Sequence, residues 1–155
     1  MKIVLLAVGK KHNADIAAAM HDYTARLQRF APTEWVIVPT PKAATPPNEQ
    51  KALESKKLLA QLKHGDVIVL LDERGQLWSS PEVAKQLAHY QQRAVPRLVF
   101  IIGGAYGVTS ELAARATATW SLSPLVFPHM IARLLVAEQL YRASTILRGE
   151  SYHHD

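Results

Sequence analysis

The chain has 155 residues, 48% of them hydrophobic and 20% charged, the length and balance of one ordinary globular domain, which excludes a disordered chain. It contains no cysteine, so disulfides, thiolate metal sites and cysteine nucleophiles are excluded. Eighteen Lys and Arg against 13 Asp and Glu leave a net charge of +5, a balance that permits a polyanionic partner without naming one.

In chain order, short apolar runs alternate with longer amphipathic ones. Residues 2–8 (KIVLLAV) read as a buried strand, and the break at Gly9-Lys10-Lys11 lacks the cleavage region of a signal peptide. Ile16, Met20, Tyr23, Leu27 and Phe30 recur at helical spacing with Arg26 and Arg29 outward, which predicts a helix over 14–30. Residues 34–38 (EWVIV) form a second strand, and prolines at 39, 41, 46 and 47 bracket a loop. The next helix, 48–63, is expected to bury Leu53, Leu58, Leu59 and Leu62 and to keep Lys51, Lys56, Lys57 and Lys63 in water. Residues 66–71 (DVIVLL) are a third strand, with 72–80 as the loop behind it. Ser79-Ser80-Pro81-Glu82 is a capped helix start, and that helix runs to about 93. A fourth strand over 97–102 leads into Gly103-Gly104-Ala105-Tyr106-Gly107, a short helix over 110–115 and a short strand over 117–122. Pro128 opens the last helix, which ends near Leu147 with Gly149 as its C-cap. No apolar run is long enough to span a bilayer. The pattern predicts a single-domain α/β fold, a mostly parallel sheet with helices on both faces.

The last helix carries Met130, Ile131, Leu134, Leu135, Val136, Leu140, Tyr141, Ile146 and Leu147. Those positions cover more than one stripe of a helical wheel. Its second apolar face suggests a partner chain, hence a homodimer, against the alternative of a deeply inserted core helix.

In open parallel sheets, ligands bind beyond the carboxyl ends of strands, where three loops lie here: 72–80, 103–109 and 122–127. Gly103-Gly104 permits close backbone approach and φ > 0, yet a tight turn explains it equally well. It matches neither the dinucleotide fingerprint, since Ala105 and Val108 stand where glycines belong, nor the P-loop. Glu138 and Arg142 share a helix face at i,i+4 and serve either as a helix-stabilising ion pair or in catalysis; His129 and Arg133 repeat that spacing one turn earlier. Tyr152, His153 and His154 in the tail are usable acid–base groups, a weak metal tract, or frayed and idle. His12, His21, His64 and His89 read as solvated, and no residues have the spacing of a strong metal site.

Taken together, Leu71-Asp72 with Gly75 and Ser79-Ser80, then Ile101-Ile102-Gly103-Gly104-Ala105-Tyr106-Gly107, then Leu122-Ser123, Pro128-His129, Arg133, Glu138, Tyr141-Arg142, Ile146, Gly149 and Tyr152-His153 make a pattern. The chain resembles the bacterial ribosomal RNA large-subunit methyltransferase H family, among the SPOUT (α/β-knot) methyltransferases, along its whole length. The resemblance implies a C-terminal deep trefoil knot, a cytoplasmic homodimer and no separate RNA-binding domain. It implies methyl transfer from S-adenosyl-L-methionine, without a metal, to N3 of a pseudouridine in 23S rRNA (nucleotide 1915 in 23S rRNA numbering) in the assembled ribosome. Position by position, it puts the cofactor at Leu71, Gly103, Gly104, Leu122, Ser123, Pro124, Leu125, Val126 and Phe127. It puts the chemistry at Glu138, Arg142, Tyr152 and His153, with Gln76 where the family often has lysine. The alternatives are a non-enzymatic basic ribosome-binding protein and a flavodoxin-like nucleotide binder, which would need a phosphate loop at Gly9-Lys10-Lys11-His12.

Overall fold

The computed structural model describes residues 1–9 and 13–154; the expectations for Lys10, Lys11 and His12, and for the last residue of the tail, lie outside them. The elements are β1 (Lys2–Val8), α1 (Ala14–Leu27), β2 (Thr33–Val38), α2 (Pro47–Leu59), β3 (Val67–Leu77), α3 (Ser80–Gln92), β4 (Arg97–Ile102), α4 (Ser110–Ala114), β5 (Ala118–Ser121) and α5 (His129–Arg148). The five strands form one sheet in the order β2-β1-β4-β3-β5, every pairing parallel.

Parallel strands with helices on both sides must be apolar at every position, and the alternation of side chains then feeds two cores. Ile3, Leu5 and Ala7 of β1 face α1, α3 and α5, where they meet Leu27, Leu87, Val136 and Leu140. Val4, Leu6 and Val8 face the other way, onto Leu58 of α2 and Leu112 of α4. The sheet is therefore covered by three helices on one face and two on the other.

Three local readings change. First, β3 does not stop at Leu71. Trp120 of β5 pairs with both Leu71 and Gln76, so residues 72–75 bulge out of a strand that resumes to Leu77. Gly75 permits this, because a Cβ there would lie 2.6 Å from the Thr119 carbonyl carbon. Second, the helix expected over 48–63 ends at Leu59, and its buried side is Glu54, Ser55 and Leu58, with Leu53 exposed. Third, α5 packs against both α1 and α3, so much of its second apolar face is covered within the chain. Ile131, Leu134 and Leu135 stay only half-buried. The caps match: Ser79 and Glu82 form a capping box, and Gly149 ends α5 at φ 67°.

Candidate active site

Beyond the carboxyl ends of β3, β4 and β5 the chain leaves a cleft of about 660 Å³, a size suited to a ligand of nucleoside dimensions. Segments of all three loops line it, together with His129 and Ala132 from the first turn of α5. Leu71, Gly103, Gly104, Leu122, Ser123, Leu125, Val126 and Phe127 are all on its wall. Pro124 shares the loop but is exposed and off the wall. That loop is held by its own serines: the Ser121 hydroxyl donates to the Ser123 carbonyl at 3.1 Å, and Ser123 Oγ accepts from the Leu125 N–H at 3.0 Å. At the rim, Arg74 forks onto Asp72 at 2.7 and 2.9 Å and holds that carboxyl below its ordinary range.

The glycine turn works differently from the expectation. Neither Gly103 nor Gly104 has a positive φ; Gly107, at 76°, is the left-handed one. Gly103 is small because a Cβ would come within 3.0 Å of Val108 Cγ1, and Gly104 because a Cβ would run into the Glu54 carboxylate from behind. Close packing, not left-handed backbone, dictates the glycine pair.

His129 opens α5 behind Pro128. Burial, then the Arg133 charge, push its pKa down, with Glu54 pulling weakly the other way, so its imidazole is neutral near pH 7. His129 and Arg133 do not hydrogen-bond to each other. Arg133 is 1% exposed and sends Nη2 to the carbonyls of Val8 and Gly9, pinning α5 to the end of β1. Sequence reasoning missed Glu54 altogether, because a glutamate among lysines on a helix carries no outward signal of burial.

Farther along α5 the four residues expected to carry chemistry do come together. Glu138 Oε1 accepts from Arg142 Nε at 3.0 Å and Nη2 at 2.6 Å, and from the Tyr152 hydroxyl at 3.0 Å. Glu138 Oε2 accepts from the Gln139 amide at 2.6 Å. The Arg142 guanidinium lies 4.7 Å from the Tyr152 ring centre, and its Nη1 is 3.4 Å from His153 Nδ1. Tyr152 also packs edge-on against Tyr141 at 4.8 Å, and its hydroxyl sits 3.3 Å from that of Tyr23. Burial, then these hydrogen bonds, raise the Tyr152 pKa, while the bond to Glu138 raises that of Arg142. None of the four lines the cleft. At 1.5 Å per residue, Glu138 lies about 9 Å and Arg142 about 15 Å along the helix beyond Ala132, the last α5 residue on the wall. Among the described residues no three His, Asp or Glu side chains converge as metal ligands, and no helix is long and apolar enough to cross a membrane.

The fold is shared with solved proteins: a probable methylase family protein of Haemophilus influenzae (TM-score 0.57, 14% identity, 99% of this chain and 70% of that one) and a probable methyltransferase of Bordetella pertussis (TM-score 0.57, 16% identity, 91% and 95%). The family model described as "Predicted SPOUT methyltransferase" matches residues 1–153, which sets the class as that of the SPOUT methyltransferases. Curated relatives called "Ribosomal RNA large subunit methyltransferase H" are 38% identical in Christiangramia forsetii, over 99% of both chains, and 40% identical in Oleidesulfovibrio alaskensis, over 98% of both. The chain belongs to that ribosomal RNA large subunit methyltransferase H family.

Proposed function

We propose that the protein is a cytoplasmic homodimer that transfers the methyl group of S-adenosyl-L-methionine to N3 of a pseudouridine in 23S rRNA within the assembled ribosome. The observation that carries this reading is the cleft itself, built from three loops on the carboxyl side of one sheet. Its residue types fit the cofactor. A neutral adenine and a sulfonium need shape and backbone hydrogen bonds, which glycine turns and apolar loops supply. When bound there, the cofactor supplies an electrophilic methyl group for in-line displacement.

The acceptor N3 is an imide nitrogen flanked by two carbonyls, so its proton must leave as attack proceeds. Arg142 is the group to stabilise charge building on those carbonyl oxygens. Both Glu138 oxygens accept hydrogen bonds, so Glu138 orients Arg142 and Tyr152, and the proton goes to His153 or to Glu138 itself. Tyr152 fixes the base. The separation of cluster from cleft in one chain fits a site in which a second copy brings its cluster to this cleft, since reacting atoms must come within about 3–3.5 Å. The half-buried Ile131, Leu134 and Leu135 supply an apolar contact for that copy. The trefoil knot implied by the resemblance belongs to the same reading.

With little surface to spare, base selection rests on the shape of a large target, and +5 per chain supplies phosphate attraction. The test is mass mapping of rRNA from cells with and without the gene, beside transfer of labelled methyl to ribosomes, free rRNA and an isolated hairpin. A missing methyl on one pseudouridine, and ribosomes as much the better substrate, are expected. Unchanged rRNA removes the assignment, and equal rates on all three remove recognition by shape.

A further inference from the structure

Behind the glycine turn lies a carboxylate that the chemistry above does not use. Glu54 of α2 is 1% exposed. Its Oε1 accepts from the Thr40 hydroxyl at 2.6 Å and from the Gln50 amide at 2.9 Å. Among the described residues its Oε2 is buried with no partner, and no Lys, Arg or His of them forms an ion pair with it. Buried polar atoms are nearly always satisfied, and an unpaired charge is costlier than an unpaired dipole. An orphaned carboxylate oxygen therefore calls for a positive charge from beyond the described residues, which a bound ligand would supply.

Its position says where. A Cβ on Gly104 would overlap Oε2 and come within 2.8 Å of Cδ, while Gly104 itself lines the cleft. The carboxylate is separated from the cleft by a single glycine backbone. Glu54 is also the weakest of three influences on His129 of the cleft wall, opposing the fall in its pKa that burial and Arg133 cause. Arg133, the other buried charge in this region, gives Nη2 to backbone carbonyls, and its Nε is likewise buried without a partner among the described residues.

We propose that Glu54 is the counter-charge for a cationic ligand in the cleft, and that it makes the cleft prefer the positively charged methyl donor over the neutral product left after transfer. The inference rests on reading the cleft as the S-adenosyl-L-methionine site. Donor and product share the adenosine and the amino-acid chain and differ by one methyl and one positive charge. Shape discriminates poorly between them; a fixed negative charge in a poorly solvated wall discriminates well, because it acts through space and costs no reorganisation. Discharge of the sulfonium on transfer then removes the attraction and favours release. Glu54 is a specificity-determining residue that touches neither reacting atom.

Calorimetry tests this with three ligands: S-adenosyl-L-methionine, its demethylated product S-adenosylhomocysteine, and sinefungin, whose amine places a positive charge where the sulfonium stood. In the unmutated protein both cations bind more tightly than the neutral product. Glu54→Gln, which keeps size and hydrogen bonding, lowers that preference about tenfold, or about 1.4 kcal/mol, and leaves product affinity unchanged. Thr40→Val removes a donor to Oε1 but keeps the charge, and leaves the preference intact. An unchanged preference in folded Glu54→Gln overturns the proposal, as does equal weakening of all three ligands, the mark of a purely structural role. Should that variant not fold, the unmutated protein decides: product bound as tightly as donor overturns the proposal. If none of the three binds the unmutated protein, it is the cofactor reading that fails.

Discussion

Around the cleft, the walls are turns and short loops, one of them held by its own serines at Ser121–Ser123–Leu125, and two rim residues, Leu125 and Val126, are 69% and 81% exposed. At the other end of α5, Glu138, Arg142, Tyr152 and Tyr141 are interlocked by charge-assisted bonds and ring contacts. The first region offers backbone and shape, as a large neutral heterocycle requires. The second offers a preorganised cation and phenol, as charge developing on an imide requires. One small chain keeps the cleft and the charged cluster apart along α5; in the proposed homodimer the two would meet through assembly.

Arg142→Ala should break the second region and spare the first. We expect methyl transfer to fall about 10²–10³-fold while calorimetric affinity for the cofactor stays the same. A parallel fall in affinity would place Arg142 in the cleft after all. Leu135→Glu puts a charge on the half-buried strip of α5 and should cost several kcal/mol of association. Light scattering at micromolar concentration then shows a dimer becoming a monomer, with activity lost and cofactor binding retained; a monomeric unmutated protein ends the assembly argument. Gly104→Val attacks the first region alone. The valine meets the Glu54 carboxylate, so thermal unfolding should show a loss of about 1–3 kcal/mol from overpacking, with cofactor affinity reduced alongside. Unchanged affinity in a folded variant removes the turn from the site.

The smallest effect concerns pH. Burial and the Arg133 charge depress the His129 pKa in the folded chain, so below about pH 6.5 the unfolded chain takes up the proton first. Stability from this group is full above that pH and is lost as pH falls towards the folded value. His129→Gln should flatten the acid side of the melting-temperature profile; an unaltered profile contradicts the depressed pKa.

Much of the sheet was legible because parallel strands buried on both faces cannot hide. KIVLLAV and RLVFII are apolar at nearly every position, and no helix stripe mimics that. The capping box at Ser79 and the glycine after α5 were legible because caps are local chemistry. The buried side of α2 was not. Periodicity put Leu53 inside, yet the helix docks on Glu54, Ser55 and Leu58, because Ser55 Oγ accepts from Thr109 N–H and Glu54 backs onto Gly104. Those partners are about 50 residues away in sequence, beyond any window.

What the amino-acid order settled by itself, therefore, is the class of fold, its strand and helix succession, and the loops that come to line the cleft, since these follow from short-range alternation, capping and glycine placement. Only the tertiary structure decided that the cleft and the Arg142 cluster lie apart along α5, that Gly104 is small to admit a carboxylate, and that β3 resumes beyond its bulge. Each of these depends on which distant backbones come within van der Waals contact, and packing at that range is set by the whole sheet rather than by neighbours in sequence.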